Sequence, residues 1–443
     1  MNKPSLAEIF SKWASSVQIN DIPETVKKKL NIIVMDSFGL MYSAKEEPYI
    51  KSLIKALNEK GSCNLIGHDA KVNPFNASII NGTAIHGEDF DDTFEGTPVH
   101  VGSVMVPAML AAAQSKNLSG NDFLKGLAIG SELICRLALV APTAVHRQGF
   151  HPTAIFGAFG ASVGVSSVIG NSDNQMVSSL GIVGSMASGI IEYLAEGTST
   201  KRLHPGWAAG CGWQSANIGK SGFIGPRTVF EGTHGVFNTF AKTTIIPDYS
   251  HIISELGDRW ECENLAIKPY ACGTMAQPFI DCAIKLKDQI NDINEIDRIV
   301  AKVGEGTVHR LWEPLIEKQN PSSPYGAKFS VPYCIAAGLI DGRAGLKQFT
   351  KERLQDPYLI NLASKITYEI NPNDQYPANY TGDVIVYRKN GTTVSAHQNC
   401  LRGGKRSPLE LEEIYRKFNE NLKFVNVDQD KIKKLRSLSL IHI

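Results

Sequence analysis

The chain has 443 residues, of which 43% are hydrophobic and 20% are charged, as in a well-packed globular protein. This length exceeds one ordinary hydrophobic core, so we expect two domains. The net charge of +1 gives no general attraction to nucleic acid or to an anionic membrane, and we expect neither as a partner.

Helical periodicity dominates the N-terminal half. Residues 24–44 follow Pro23, a favoured residue at the start of a helix, and repeat apolar side chains at helical spacing. Residues 121–140 repeat this pattern after a Ser-Gly start, and Ser172 opens a further segment with a capping-box pattern. Residues 250–256 continue the set. We predict a helix for each segment.

Two long uncharged runs, residues 153–171 and 176–191, resemble membrane spans in length only. Both are rich in Gly and Ser, and their hydrophobicity is modest beside the ~20 strongly apolar residues that a span needs. We predict that they are buried helices whose small residues allow close approach of neighbouring backbones.

The pattern changes near residue 262. Residues 296–308 predict a strand that meets a glycine break, and residues 383–396 predict two strands around an Asn390-Gly391 hairpin turn. Helical pattern returns from residue 407 to 418. The sequence therefore predicts a mainly α protein, with a helical domain of residues 1–262 and 406–443 and a smaller α+β domain of residues 263–405.

The eight cysteines are scattered, without a CxxC motif or a Cys/His pair at zinc-ligand spacing. Reduced thiols are therefore expected. The first residues lack the apolar stretch of a signal peptide, so we predict a cytoplasmic protein.

The stretch from His86 to Thr93, followed by His100, has the composition most typical of a functional site. It holds two imidazoles, a threonine and four carboxylates, those of Glu88, Asp89, Asp91 and Asp92. Carboxylates crowded between apolar helices repel one another and lose solvation. A solvated acidic loop is the alternative; the flanking histidines and the apolar helix that resumes after Gly102 favour a site.

Two further stretches suit carboxylate binding. His151 stands just before an apolar helix with Pro152 in its first turn, and helix N-termini favour anions. Lys201 and Arg202 lie close to His204 among small residues. The alternatives are a histidine that only caps its helix and a basic loop that is only solvated.

Lys268 and Cys272 lie at the predicted domain boundary, where ligand sites are common. They could exchange protons if burial lowers the pKa of the lysine and a nearby cation lowers that of the thiol. Tyr333 opens another predicted helix, and a tyrosine there is more often part of the core than catalytic.

Several blocks of the sequence resemble the MmgE/PrpD family. They are Asn81-Gly-Thr-Ala-Ile-His86, Asp89-Phe-Asp-Asp-Thr93, His100, Gly149-Phe-His-Pro-Thr153, Lys201-Arg-Leu-His204-Pro-Gly, Phe329-Ser-Val-Pro-Tyr333 and Leu339-Ile-Asp-Gly342. These blocks occur in the family's order and span nearly the whole chain. The resemblance implies a large all-helical domain, a smaller α+β lid inserted before the C-terminal helix, a homodimer, and no metal or organic cofactor.

Residue by residue, the resemblance implies a pocket that binds a polycarboxylate. It is lined by Asp89, Thr93, His100, His151, Lys201, Lys268 and Tyr333. Lys201, Lys268 and His204 would bind carboxylates, together with His86, and His100 or His151 would donate or remove a carbon-bound proton. Asp89 would orient a histidine and favour its charged form, whereas Thr93 and Tyr333 would supply hydrogen bonds.

The chain also departs from the family pattern. Val101 stands where many members have proline, Gln277 where many have histidine, and Cys272 where the decarboxylases and methylcitrate dehydratases have no cysteine. A thiol that faces Lys201 across the substrate would form a two-base pair, as epimerases need. A buried, inert thiol is the alternative.

The resemblance implies a lyase without a cofactor, which dehydrates or decarboxylates a small di- or tricarboxylate. An epimerase of an imino- or hydroxy-diacid is the second hypothesis. A catalytically silent carboxylate-binding protein is the third, although the intact set of Asp89, His100, His151 and Lys201 argues against it.

Overall fold

The computed structural model describes residues 3–95, 97, 99–242, 245–290 and 292–441. Helices predominate in this part of the chain, so the prediction of a mainly α protein is confirmed. The chain divides into two compact units. The first comprises Met1–Gly87, Asp91–Leu265 and Phe418–Ile443, and the second comprises Glu88–Phe90 and Ala266–Lys417.

The first unit is built almost entirely from helices. Its elements up to the division at residue 265 are α1 (Leu6–Ser16), α2 (Glu24–Ser43), α3 (Pro48–Ala56), β1 (Lys60–Asn64), β2 (Lys71–Val72), α4 (Pro74–His86), β3 (Thr93–Phe94), α5 (Gly102–Lys116), α6 (Gly120–Val140), α7 (Ala144–Arg147), α8 (Pro152–Ser166), α9 (Asp173–Gly184), α10 (Tyr193–Glu196), α11 (Thr200–Lys220), α12 (Val236–Phe240), α13 (Ser250–Ile253) and β4 (Leu265–Ala266). The short strands β1 and β2 pair with each other in antiparallel orientation.

The second unit combines helices with one mixed sheet. Its elements are α14 (Gln277–Lys287), β5 (Ile296–Val303), α15 (Glu305–Leu311), α16 (Leu315–Gln319), α17 (Pro324–Ala327), α18 (Val331–Asp341), α19 (Lys351–Leu354), α20 (Pro357–Ala363), β6 (Ile366–Ile370), β7 (Gly382–Arg388) and β8 (Thr393–Gln398). The sheet order is β6-β5-β7-β8. Strands β5 and β6 are parallel, whereas β7 is antiparallel to both β5 and β8. The chain then continues through α21 (Leu411–Phe424) and α22 (Gln429–Ile441).

Local signals set the starts of several helices. Ser119 and Ser172 cap α6 and α9, and each forms a complete capping box with the residue three positions later. Helix α2 starts at Glu24, directly after Pro23. These predicted helices are confirmed, as is the hairpin of β7 and β8 around Asn390-Gly391.

Glycines allow the helices of the first unit to pack backbone against backbone. A Cβ added to Gly206 of α11 would lie 2.2 Å from the Ile79 carbonyl oxygen of α4, and one added to Gly160 of α8 would lie 2.6 Å from the Gly130 carbonyl oxygen of α6. Larger residues would therefore separate these helices. This packing brings α4 and α11 together and confirms the predicted role of small residues in helix contact.

Several predicted boundaries were wrong. The helix predicted for 250–256 ends at Ile253, because Ser254 is extended and Glu255 has a φ of +54°. By contrast, the strand predicted within residues 296–308 is confirmed as Ile296–Val303, and the predicted glycine break is Gly304, directly before helix α15. The helix predicted from residue 407 starts at Leu411. In the apolar run 176–191, α9 ends at Gly184, and the residues that follow are irregular.

No helix among the described residues is both long enough and apolar enough to cross a membrane. The eight cysteines are all free thiols, and seven of them are buried.

Candidate active site

A histidine pair and an aspartate lie together where α4 ends. His86 is the last residue of α4, and its Nδ1 lies 2.8 Å from Asp91 Oδ2. The same oxygen lies 3.6 Å from His100 Nδ1, and the two imidazole centroids are 4.7 Å apart. All three side chains are buried. An ionised carboxylate only accepts hydrogen bonds, so Asp91 fixes the proton of His86 on Nδ1.

Asp92 positions His100 and the start of α5. Its carboxylate accepts hydrogen bonds from the backbone N–H groups of Val101 (3.1 Å) and Gly102 (2.9 Å), and its carbonyl oxygen lies 2.8 Å from His100 Nδ1. A carbonyl only accepts, so His100 donates from Nδ1. Burial, followed by the neighbouring Asp91 carboxylate, raises the pKa of Asp92 to about 7.

A second histidine pair joins the starts of α8 and α11. His151 directly precedes α8, His204 lies in α11, and their Nδ1 atoms are 3.2 Å apart, so one ring donates to the other. Burial, followed by the charges of His86 and Lys201, lowers the pKa of His204 to about 4. Burial, and then the neighbouring His204, lowers the pKa of His151 well below its usual value. Both rings are therefore neutral near pH 7.

The two histidine pairs form one cluster. The His151 centroid lies 5.8 Å from that of His86 and 6.4 Å from that of His100. The Thr153 hydroxyl oxygen, in the first turn of α8, accepts a hydrogen bond of 3.1 Å from the His100 backbone N–H. Lys201 is buried in the first turn of α11, and its charge acts on both His151 and His204. The first unit thus gathers four histidines and a lysine that are distant in sequence; we call this set the histidine cluster (His86, His100, His151, Lys201 and His204).

Two buried polar atoms near the cluster have no hydrogen-bond partner among the described residues. They are Nε2 of His86 and the hydroxyl oxygen of Thr93, which directly follows Asp92. A buried polar group without a partner costs about 1–3 kcal/mol, which a bound polar ligand would offset. These atoms are accordingly available to a ligand.

Asp89 and Lys268 form an ion pair within the second unit. Lys268 Nζ lies 2.9 Å from Asp89 Oδ1, and the Tyr325 hydroxyl donates to Asp89 Oδ2 at 3.3 Å. Asp89 was predicted to orient a histidine; the carboxylate found on the histidines is that of Asp91. The Asp89 carboxylate, two positions earlier, is bound to a lysine and a tyrosine, and its effect on a histidine stays a prediction.

Tyr333 and Cys272 also lie in the second unit, each with a different partner. The Tyr333 hydroxyl donates to the Gln348 carbonyl at 2.7 Å, and burial raises the pKa of Tyr333 above its usual value. Cys272 is fully buried, and its thiol contacts that of Cys334. Both side chains are buried, and a role for either in a ligand pocket stays a prediction.

His86, Asp91 and His100 offer three ligand atoms within 4.8 Å of one another, so this triad is a candidate for holding a divalent cation. The donor set suits zinc or another transition metal. However, both Nδ1 atoms already take part in hydrogen bonds, with Asp91 and with the Asp92 carbonyl, which a bound ion would have to replace.

The cluster is closed to solvent. His100, His151 and His204 are exposed by 5%, 4% and 6%, and Lys201 by 8%. Two surface cavities, of about 440 and 510 Å³, lie elsewhere: one is lined by residues of α1 and α9, the other by the end of α11 and the turn after it. The polar groups of the cluster are thus shielded from bulk water.

Three residues beside these groups were not predicted from sequence. Asp91 was seen only as part of an acidic run, and its neighbour Asp89 was selected instead. Tyr193 packs with its ring centroid 6.3 Å from that of His151 and 5.6 Å from that of His204. Tyr325 lies in the short helix α17, and no pattern in the sequence connects it with Asp89.

Comparison with known families covers most of the chain. The model of the MmgE/PrpD N-terminal domain matches residues 8–246, and that of the MmgE/PrpD C-terminal domain matches residues 270–439. A cis-aconitate decarboxylase-like protein of Aspergillus oryzae is 26% identical over 447 residues, which cover 96% of this chain and 92% of that protein. The cis-aconitate decarboxylase of Aspergillus terreus is 25% identical, with coverage of 97% and 91%. The human cis-aconitate decarboxylase is also 25% identical, with coverage of 94% and 88%.

Proposed function

The chain belongs to the MmgE/PrpD family, and we propose that it is a lyase that acts on a small di- or tricarboxylate. The observation that carries this proposal is the histidine cluster, in which four imidazoles and the Lys201 ammonium are buried together. Such a set combines groups that move protons with a cation that binds carboxylates. The names of the relatives favour decarboxylation over dehydration, and cis-aconitate is the first acid to test.

In the proposed reaction, Lys201 and His204 bind carboxylates of the substrate. In the absence of ligand the His151 and His204 rings are neutral because burial lowers the pKa of both. The negative charge of a bound polycarboxylate would raise these pKa values. Binding of the substrate would therefore be accompanied by protonation of His151 or His204. Binding of the substrate would then also produce the protonated histidine that acts as the general acid.

The bond changes of a decarboxylation balance without an external oxidant or reductant. The bond between carbon and a carboxylate breaks, carbon dioxide leaves, and the electron pair remains on the carbon. A proton that His100 or His151 takes up from water when the substrate binds then joins that carbon, and the ring regains a proton from water for the next turnover. His100 is fixed as a donor to the Asp92 carbonyl through Nδ1, so its Nε2 is the nitrogen that would carry the reacting proton.

Within the second unit, we propose that Lys268 binds a carboxylate in exchange for its Asp89 partner. Tyr325 is a better candidate than Tyr333 for a hydrogen bond to substrate. The Tyr325 hydroxyl contacts the Asp89 carboxylate, whereas that of Tyr333 donates to a backbone carbonyl of the core. Thr93, whose buried hydroxyl has no partner among the described residues, is proposed as a further donor.

The first experiment is a panel of di- and tricarboxylates incubated with the purified protein in heavy water and followed by proton NMR. A lyase gives a product with one carbon fewer, or with the elements of water removed, whereas an epimerase exchanges the proton on a retained stereocentre. Retesting exchange with Cys272→Ser decides whether the thiol acts as a second base. Binding by calorimetry without any change in the acids would show a silent binder and refute the proposal.

We further propose that the protein is a cytoplasmic homodimer, as the family resemblance implies. Light scattering at micromolar concentration tests the dimer, and a monomeric mass would contradict it.

A further inference from the structure

Three buried lysines of the second unit each donate to one of three consecutive backbone carbonyls. Lys328 Nζ lies 3.0 Å from the Glu88 carbonyl oxygen, Lys268 Nζ 3.0 Å from that of Asp89, and Lys417 Nζ 2.7 Å from that of Phe90. We call Lys268, Lys328 and Lys417 the lysine clamp. Together they bind every carbonyl of residues 88–90, the short segment that the second unit contributes between Gly87 and Asp91.

Each lysine of the clamp also contacts the side chain of the residue whose carbonyl it binds. Lys328 Nζ lies 3.1 Å from Glu88 Oε2, and Lys268 Nζ lies 2.9 Å from Asp89 Oδ1. Lys417 Nζ lies 4.1 Å from the centre of the Phe90 ring, a cation–π contact. Lysine is rarely buried unless it is paired, so these ammonium groups depend on the segment that they hold.

The segment adopts a conformation that it would not favour alone. Asp89 has a φ of +54°, in the left-handed region that costs a residue other than glycine about 1 kcal/mol or more. Such a conformation persists where the surroundings fix it. On either side of the turn, His86 ends α4 and Asp91 returns to lie 2.8 Å from its Nδ1. The turn at 88–90 is therefore the part of the chain that connects His86 to its partner Asp91.

We propose that Lys328 and Lys417 are positioning residues that fix the turn at 88–90 and so hold the Asp91 carboxylate on His86. The expected effect on turnover rests on the proposed function, whereas the effect on the hydrogen bond between His86 and Asp91 does not. Lys268 belongs to the same clamp but is also proposed to bind substrate, so it is unsuitable for a test.

The test compares Lys417→Met with Lys417→Arg in the full chain. Methionine fills similar space but removes the donor and the charge, whereas arginine retains both. Lys365→Met is a matched control, because Lys365 Nζ also donates to a backbone carbonyl, that of Ile296 at 2.8 Å, in the sheet of the same unit. If Lys417→Met does not fold, Lys328→Met carries the same expectations.

Two readouts are needed. The first is the Nδ1–H resonance of His86 in protein labelled with ¹⁵N-histidine, which reports the hydrogen bond to Asp91 without any substrate. We expect it to broaden or shift in Lys417→Met and to be retained in Lys417→Arg and Lys365→Met. The second is steady-state kinetics, in which Lys417→Met should lower kcat by about 10- to 100-fold with little change in KM, because the Asp91 carboxylate also lies 3.6 Å from Nδ1 of His100, a proposed proton donor.

An unchanged His86 resonance in a folded Lys417→Met variant would overturn the proposal, whatever its activity. If no carboxylate is turned over by the wild type, the proposed function fails, yet the resonance still decides the role of the clamp. A fall in kcat with an unchanged resonance would also reject the clamp, because the effect would not pass through Asp91.

Discussion

The raised pKa of Asp92 predicts how the unfolding free energy of the protein changes with pH. Burial and Asp91 raise its pKa to about 7 in the folded protein, from 3.8 when unfolded. Between these values the folded state holds one more proton than the unfolded state, so its stability falls as the pH rises. At about 1.4 kcal/mol per pH unit, the loss between pH 5 and pH 8 is about 2–3 kcal/mol, with a plateau above pH 7.

The assay is urea unfolding of the wild type and of Asp92→Asn at one protein concentration, followed by tryptophan fluorescence. Four of the five tryptophans, at positions 13, 207, 213 and 260, belong to the first unit with Asp92. The buried histidines make stability rise with pH, but they are present in both proteins. Their contribution therefore cancels in the difference in unfolding free energy between the two proteins. The unfolding free energy of the wild type minus that of Asp92→Asn should decline by about 2–3 kcal/mol from pH 5 to pH 8.

Asp281→Asn provides a comparison. Burial raises the pKa of Asp281 to about 6, so its difference curve should level off one pH unit earlier than that of Asp92. A difference for Asp92→Asn that stays flat across this range would refute the reasoning, since Asp92 would then be ionised at no cost.

Three other predictions concern activity. His100→Asn and His151→Asn should each lower kcat by about 10²-fold or more, measured by product formation, and near-normal rates would remove that residue from proton transfer. Binding of tricarballylate should take up a proton at pH 6–7, because its charge raises the pKa of His151 and His204. Calorimetry in phosphate and in Bis-Tris, whose ionisation enthalpies differ, measures this uptake, and equal observed heats in the two buffers would contradict it. Tyr325→Phe should lower kcat/KM, whereas Tyr333→Phe should chiefly lower the unfolding free energy, by about 1 kcal/mol; the reverse pattern would restore Tyr333 as the pocket tyrosine.

Features set by local sequence were predicted well. The capping boxes at Ser119 and Ser172, the helix after Pro23 and the Asn390-Gly391 hairpin depend on residues within a few positions of one another. The small-residue runs likewise predicted close helix packing, because glycine leaves room for a neighbouring backbone whatever helix supplies it.

Features that depend on a change of chain direction were not predictable. Asp89 and Asp91 stand two residues apart in one acidic run, and composition does not distinguish them. With the left-handed conformation at Asp89, the Asp89 carboxylate contacts Lys268 and the Asp91 carboxylate contacts His86. Which residue contacts a histidine follows from that turn, and a positive φ at an aspartate has no clear signal in a single sequence.

The most direct test of the central claim is a crystal structure of the protein with tricarballylate, an unreactive tricarboxylate. We predict that its carboxylates lie within hydrogen-bond distance of Lys201 and His204, with the carbon chain beside His100 and His151. Tricarballylate bound elsewhere, with the histidine cluster unchanged at a concentration that saturates binding in solution, would contradict the proposed site.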